Sequence, residues 1–338
     1  MSSAILRILR DSIRERGVAR TGHRVIRRLL QHGRWSVPAL WQVAVEVTTH
    51  CNLVCPGCLR TVKCAEGNWD SRHMALSDYQ KIVQDLPKAQ TFASGGIGEP
   101  TMHPQLPELI RIAASTGKFR SICFTSNGMA RAPEYYDELF EAGLTRVDIS
   151  VDTLDQELAD PLRGGTSTEK LSVCLQRLAG RHPGRIGART VIRSENIHRI
   201  PDLLSQLNDL GQLNVSLQYF IDMGNPEGVA PLPERKALLE RLPAIASRCS
   251  NLRVKAPEFI EPSPQVCIYP WWGPAVTVDG YVMVCCNMMD KDRFNLGNAL
   301  KTPFAEVWRS RSTREFRREF TRRSPSFCAE CPYYLMRP

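Results

Sequence analysis

Short apolar runs alternate with segments of helical apolar spacing between residues 43 and 220. The runs are rich in β-branched residues and predict strands, while apolar positions that recur every three or four residues predict helices. Such alternation predicts a parallel sheet whose strands are joined by helical crossovers. The predicted strands are residues 43–48, 91–95, 121–125, 146–151, 188–192 and 215–220, and the helices between them are residues 76–86, 106–114, 133–142, 170–179 and 197–210.

These elements predict the α/β fold class and a division of the chain into four parts. Six strand–helix units are too few for an eightfold barrel, so the pattern predicts a partial (β/α)6 TIM-like barrel. A proline-rich stretch follows and has one helical segment at residues 234–246, and the last part is rich in cysteine. The predicted parts are a basic helical extension (1–40), the barrel (41–222), a linker (223–265) and a small C-terminal domain (266–338).

The basic charge is concentrated at the N-terminus. Residues 1–34 hold nine arginines and two acidic residues, and so supply seven of the nine net positive charges. Their apolar residues recur at near-helical spacing, which predicts one or two basic amphipathic helices. Such helices suit a membrane surface, a phosphate-rich partner, a transit peptide, or packing against the main domain. The rest of the chain is near neutral, which argues against a nucleic-acid footprint.

Composition limits the classes further. The chain has 338 residues, 43% of them hydrophobic, and no run approaches the roughly 20 apolar residues that cross a bilayer. The N-terminus lacks a secretory apolar stretch with a cleavage site, so we expect a cytoplasmic protein, with membrane-surface contact through residues 1–34 left open. Disulfides are rare in that compartment, so the twelve cysteines indicate metal or redox chemistry.

Three cysteines follow the first predicted strand with the spacing C-x3-C-x2-C. Thiolates at Cys51, Cys55 and Cys58 can converge on one metal centre from a single loop. A tetrahedral zinc site would need a fourth ligand, for which His50, Cys64 and His73 are candidates. A [4Fe–4S] cluster held by three cysteines would instead leave one iron open to a ligand.

Further motifs follow the next strands. Gly95-Gly96-Ile97-Gly98-Glu99-Pro100 follows the second, Ser126-Asn127-Gly128 the third, and Ser150-Val151-Asp152 ends the fourth, with Arg163 beyond it. Together with the cysteine motif, they resemble the radical S-adenosylmethionine (SAM) enzyme family over residues 43–220. The resemblance implies that Cys51, Cys55 and Cys58 hold a SAM-binding [4Fe–4S] cluster. It also implies these SAM contacts: Gly95, Gly96, Glu99, Ser126, Asn127, Ser150 and Arg163.

The placement of these motifs agrees with general rules for parallel sheets. Ligands bind at the carboxyl ends of the strands, where all four motifs lie. Glycines at 95 and 96 let the backbone approach a ligand closely, although the pair is also a common turn. Glu99 is either a surface carboxylate or faces the site, and Ser126, Asn127 and Ser150 are also typical turn or capping residues.

A second cysteine set lies in residues 266–338. Residues 276–284 alternate around Asp279-Gly280, which predicts a β-hairpin. The segment resembles the SPASM/twitch extension of radical SAM enzymes, with fewer cysteines than the full SPASM form, which implies one auxiliary [4Fe–4S] cluster. A structural zinc site is the alternative, and Cys286 is a spare or a substitute for Cys285. The implied ligands are Cys267, Cys285, Cys328 and Cys331.

The resemblance also implies an activity. A radical SAM oxidoreductase cleaves SAM reductively to a 5′-deoxyadenosyl radical, which abstracts a hydrogen from the substrate, and the auxiliary cluster takes an electron or positions the substrate. We expect a small molecule as substrate, such as a sugar, a nucleoside or another natural product, and flavodoxin or ferredoxin as reductant. A ribosomal peptide is the alternative substrate, and a non-catalytic iron–sulfur or zinc protein is the alternative class.

No catalytic residue can be assigned from the motifs. Residues at predicted strand ends or beside the second cysteine set are candidates for substrate contacts, although each has an equally good packing role. Three other cysteines lie in apolar or helical contexts and are expected to be buried: Cys123, Cys174 and Cys249. The substrate-contact candidates are Arg193, Tyr219, Asp222, Trp271 and Trp272.

Overall fold

The computed structural model describes residues 40–220, 228–257, 269–287 and 289–322. The predicted N-terminal helices lie outside these residues, as do Asp222, Cys267, Cys328 and Cys331. Within the described residues, no helix is both long enough and apolar enough to span a bilayer.

One sheet organises the described chain. Its strand order is β7-β6-β5-β4-β3-β2-β1-β8-β9, and all neighbours are parallel except the antiparallel pair β8–β9. The six predicted strands are all present and adjacent in chain order, which confirms the partial barrel. The strands are β1 (Leu40–Val45), β2 (Ala89–Ser94), β3 (Phe119–Ser126), β4 (Arg146–Ser150), β5 (Ile186–Ile192), β6 (Leu213–Tyr219), β7 (Leu252–Lys255), β8 (Ala275–Val276) and β9 (Val282–Met283).

Several helices pack against the strands of the sheet. Short 3-10 turns at Pro100–Met102 and Ile197–Arg199 precede two of them. The helices are α1 (Leu59–Ala65), α2 (Leu76–Asp85), α3 (Leu106–Ser115), α4 (Tyr135–Glu141), α5 (Gln156–Leu162), α6 (Thr168–Arg181), α7 (Ile200–Leu210), α8 (Leu232–Ala246), α9 (Tyr269–Trp272), α10 (Phe304–Arg309) and α11 (Arg311–Arg322).

The predicted linker contributes to the sheet. It contains α8 as predicted, but also β7, which pairs in parallel with β6 through Leu213↔Leu252 and Val215↔Val254. The prediction of a linker around one helix was therefore incomplete, and α8–β7 forms a seventh helix–strand unit. The strand has only four residues and lies among prolines, so its alternation was too short to be recognised.

The two faces of the sheet differ in chemistry. Strand β6 alternates buried Leu213, Val215, Leu217 and Tyr219 with half-buried polar residues. The apolar side packs against the helices, as where Phe92 of β2 meets Tyr79 of α2. We call the opposite side the inner face, because it lines the interior of the partial barrel. Buried residues of the helix side form the main core, which includes Cys174 and Cys249, and Cys123 is buried as well, all three as predicted.

Candidate cofactor site

The cysteine loop connects β1 to α1. Cys51, Cys55 and Cys58 all lie on it with half-buried side chains. Helix α1 begins immediately after Cys58, which is its N-cap residue. Cys64 is exposed near the end of the same helix. The structure thus sets the three motif cysteines apart from the fourth nearby thiol.

Burial raises the pKa of two thiols in this loop. It raises the pKa of Cys51, and it raises the pKa of Cys55 to about 11 although the charge of Arg163 opposes the second shift. Cysteines bind metals as thiolates, so metal binding here would release protons. The three thiols are close enough to influence one another's charge, and they fit the ligand set of a cluster.

Two of the three candidate fourth ligands for a zinc site, His50 and His73, make other contacts in the structure. His73 is hydrogen-bonded through Nδ1 to Thr48 Oγ1 at 2.9 Å and stacks on His50 with ring centroids 4.3 Å apart. Both histidines are therefore engaged with each other, and a [4Fe–4S] cluster held by the three thiols is what the resemblance to radical SAM enzymes implies.

Glu99 lies at the centre of a hydrogen-bond network beside the loop. Its side chain is buried, and Oε1 accepts from Thr101 N at 3.1 Å, Thr101 Oγ1 at 2.7 Å and Ser126 Oγ at 2.8 Å. Its Oε2 accepts from the backbone N–H of Asn127 at 2.6 Å. Four protein donors thus engage the carboxylate and fix the ends of β2 and β3 relative to each other. A SAM contact by Glu99 remains a prediction.

Asn127 carries this network on to the cysteine loop. Its Nδ2 donates to Asn52 Oδ1 at 2.8 Å and lies 3.9 Å from the sulfur of Cys51. Its Oδ1 accepts from the N–H of Met129. Ser126, Asn127 and Cys51 are therefore brought together as the motifs predict. Asn52 was not predicted, because an asparagine between cysteines is also an ordinary loop residue.

The glycine-rich loop packs tightly on the chain that follows β1. A Cβ on Gly96 would overlap the side chain of Glu46, and one on Gly98 would overlap the carbonyl oxygen of Thr48. Gly95 has only ordinary contacts. Glycine is thus required at 96 and 98 by the protein's own packing, in addition to any approach of a ligand. The role of Gly98 was not predicted.

Glu46 is a functional candidate that sequence reasoning missed. It follows β1 with 3% of its surface exposed, and accepts from Ile97 N at 2.9 Å and from Val278 N at 3.1 Å. It therefore joins the glycine-rich loop to the β8–β9 hairpin. Burial raises its pKa to about 7. The charge of Asp279 reinforces this shift, whereas the two hydrogen bonds and Lys291 oppose it. A cavity of about 240 Å³ adjoins it and is lined also by Lys63, Arg72 and Asp290.

Glu46→Gln is expected to remove a pH dependence of folding stability. The folded-state pKa is raised from its ordinary 4.5 to about 7. The protonated carboxyl therefore makes its full contribution to the free energy of unfolding below pH 4.5. This contribution, on the order of 3 kcal/mol, is lost as the pH rises to about 7. Urea unfolding under anaerobic conditions at several pH values measures it. Glu108→Gln, at an exposed helix position, should keep the wild-type slope, and an equal slope in Glu46→Gln contradicts the prediction.

Arg163 and Asp152 lie beside Cys55. Arg163 ends α5, and its Nη1 is 3.4 Å from Asp152 Oδ2. Burial alone would lower the pKa of Arg163, but Asp152 and Cys55 raise it overall. Asp152 Oδ1 also accepts from the N–H of Val191 at 2.7 Å. The guanidinium of Arg163 is thus held next to the cysteine loop. Ser150, another predicted SAM contact, is the last residue of β4 and pairs with Arg189 of β5.

Two candidates for substrate contacts have other roles. Arg193 is buried, donates from Nη1 to the carbonyl of Pro56 at 3.1 Å and covers the ring of Phe220, so it supports the cysteine loop. Tyr219 lies on the helix side of β6 and donates to the carbonyl of Arg235 in α8. The prediction for Tyr219 is therefore wrong, because strand alternation turns its side chain away from the inner face.

The C-terminal part is only partly described. β8 and β9 form the predicted hairpin, and half-buried Cys285 and Cys286 follow β9. Gln42 Nε2 of β1 lies 3.7 Å from the sulfur of Cys286. Trp271 and Trp272 pack on the core, the former against Phe320. Because three of the four proposed auxiliary ligands lie outside the described residues, that ligand set stays a prediction.

Two families match this sequence, one over the barrel and the other over the C-terminal part. Residues 45–207 match the radical SAM superfamily, and residues 267–332 match SPASM, an iron–sulfur cluster-binding domain. The first match covers the cysteine loop and all four motifs at the strand ends. The second covers the whole second cysteine set.

Relatives span most of the chain. The tungsten-containing aldehyde ferredoxin oxidoreductase cofactor-modifying protein of Pyrococcus furiosus is 26% identical over 302 residues, 81% of this chain and 82% of that protein. The PqqA peptide cyclase of Xanthomonas euvesicatoria is 24% identical over 310 residues, 87% and 81% of the two chains. The solved structure of SuiB of Streptococcus suis bound to S-adenosylmethionine has a TM-score of 0.68 at 16% identity, and the similarity covers 94% of this chain and 76% of SuiB. The structure of SuiB bound to precursor peptide SuiA has a TM-score of 0.67. The SuiB similarity shows a shared fold.

Proposed function

Because the chain is a radical SAM enzyme with a C-terminal SPASM domain, we propose that it modifies a peptide substrate. The observation that carries the proposal is similarity along nearly the whole chain to a PqqA peptide cyclase. The fold is also shared with SuiB, which has been solved with a precursor peptide. The initial expectation of a small-molecule substrate thus becomes the second candidate.

The described residues divide the work at the cofactor site. Cys51, Cys55 and Cys58 would hold the [4Fe–4S] cluster, which together with SAM supplies a 5′-deoxyadenosyl radical for hydrogen abstraction. Glu99 and Asn127 position the loop, and Arg163 places a positive charge beside it. A flavodoxin or ferredoxin would supply the electron.

A small cofactor or natural product remains the second candidate substrate. The Pyrococcus furiosus relative, named as a cofactor-modifying protein, has the higher identity of the two curated relatives. It also spans the SPASM region, so domain content does not separate the two candidates. Only an experiment that identifies the class of the substrate distinguishes the two candidates.

Deuterium transfer distinguishes the two substrate classes. Extract from cells of the source organism grown in deuterated medium is added to the reconstituted enzyme with SAM and dithionite, and 5′-deoxyadenosine is analysed by mass spectrometry. A peptide substrate predicts deuterated 5′-deoxyadenosine, and protease treatment of the extract should abolish the label. Deuterium transfer that survives the protease favours the small molecule and contradicts the proposal. The triple alanine variant of Cys51, Cys55 and Cys58 is the negative control.

A further inference from the structure

A cluster of charged residues lies on the inner face of β4 and β5. Asp148 Oδ2 accepts from Nη2 of Arg146 at 3.2 Å and from Nη2 of Arg189 at 2.8 Å. The carboxylate side chain is 9% exposed, while the two arginine side chains are 43% and 32% exposed. A Cβ on Gly187 would overlap Asp148 Oδ1, so the glycine leaves room for the carboxylate. Asp148 thus orients two guanidinium groups that remain partly accessible.

The surrounding sheet is positive on this face. Every charged residue of β4 to β7 falls on the inner face by alternation and pairing, and β7 adds Arg253 and Lys255. Four cations thus face one carboxylate within these strands. The neighbouring inner positions of β6 are polar and half-buried, namely Asn214, Ser216 and Gln218. This surface therefore favours a polar ligand with negative charge.

Two observations connect the cluster to ligand binding. Arg146 Nε is buried and has no hydrogen-bond partner among the described residues, which is costly unless a ligand or water satisfies it. Arg189 pairs in register with Ser150, one of the predicted SAM contacts at the end of β4. Asp148 is two residues before Ser150, about 7 Å along the strand. A group bound here would lie next to the predicted SAM site.

We propose that Arg146 and Arg189, positioned by Asp148, bind a carboxylate of the substrate inside the barrel. A planar guanidinium can donate two charge-assisted hydrogen bonds to a carboxylate. Because Asp148 holds both arginines, both can bind the same carboxylate of the ligand. The inference deepens the proposed function and rests on it for the type of molecule. For a peptide, the carboxylate belongs to an acidic side chain or to the C-terminus.

A matched pair of probes tests the charge requirement. N-acetyl-L-glutamate α-amide and N-acetyl-L-glutaminamide differ in a single carboxylate, since neither has a free C-terminus, and each is titrated by calorimetry into the anaerobic holoenzyme with SAM bound. We expect the glutamate derivative to bind at least about tenfold more tightly, and the difference to shrink with added salt. Equal binding of the two probes contradicts the proposal, as does tighter binding of inorganic phosphate than of the glutamate derivative.

Variants assign the binding to these residues. Arg146→Gln and Arg189→Gln should each weaken binding of the glutamate probe by about tenfold or more. Arg189→Lys should recover only part of the affinity, because lysine lacks the two parallel N–H donors of a guanidinium. Arg181→Gln, at an arginine that pairs with Asp137 on the helix side, is the control and should bind as the wild type does. Wild-type probe affinity in both glutamine variants overturns the assignment.

The test separates this site from the proposed function. Probe binding needs neither a peptide nor turnover. If deuterium transfer proves insensitive to protease while the glutamate probe still depends on Arg189, the peptide proposal fails and the carboxylate site stands for another substrate. If transfer is protease-sensitive but the probes bind equally, the site is wrong and the peptide proposal stands.

Discussion

Replacement of Cys51, Cys55 and Cys58 together with alanine is expected to lower the iron content of the reconstituted protein from about eight atoms per chain to about four. The three thiols lie on one loop that joins β1 to α1, and their removal takes away every ligand that the resemblance implies for the SAM-binding cluster. The remaining iron would belong to the auxiliary cluster. SAM cleavage should fall to background, because the cluster that binds SAM is lost.

Iron analysis, electron paramagnetic resonance of the reduced protein and release of 5′-deoxyadenosine measure the outcome. Cys64→Ala is the matched control, since Cys64 is a nearby thiol that is exposed on α1. It should keep both the iron content and the cleavage. Full iron in the triple variant, or loss of the cluster in Cys64→Ala, would show that the ligand set is wrong.

Glu99→Ala is expected to destabilise the protein by about 3–5 kcal/mol and to weaken SAM binding severely. The variant leaves the N–H groups of Thr101 and Asn127 and the hydroxyls of Thr101 and Ser126 without their shared acceptor. Each buried donor left unsatisfied costs about 1–3 kcal/mol, and local relaxation recovers part of the sum. The end of β3 would then shift relative to the cysteine loop.

Urea unfolding measures the loss of stability, and equilibrium dialysis of labelled SAM measures binding. Glu134→Ala is the control, since that carboxylate lies on the surface in an ion pair with Arg177 and should cost less than about 0.5 kcal/mol. A stability change in Glu99→Ala as small as that of the control contradicts the role of Glu99 as the centre of the network.

The sequence was sufficient for the fold class and for six of the strands. Their apolar runs are recognisable in the sequence, and the cysteine, glycine and polar motifs mark the carboxyl ends of the first four. Strand β7 was missed because four residues among prolines carry little periodic signal. Tyr219 was a candidate for a substrate contact because it ends β6, but that position alone does not show that its side chain points to the helix side.

Long-range packing explains the functional residues that could not be predicted. Glu46 is separated by 51 residues from Ile97 and by 232 from Val278, its two hydrogen-bond donors. A single acidic residue after a strand gives no local sign of such contacts. Gly98 likewise differs from an ordinary turn glycine only because the carbonyl of Thr48 lies against it. The inner-face arginines became visible only when pairing placed them around Asp148.

The pairing of β1 with β8 has a consequence for biosynthesis. Ala44 pairs with Ala275, a contact between residues that emerge from the ribosome far apart in time. β1 therefore keeps an open edge through most of translation, and pairings of such long sequence separation form slowly. The cysteine loop directly follows β1, so the sheet beside it is completed only after the C-terminal hairpin has been synthesised.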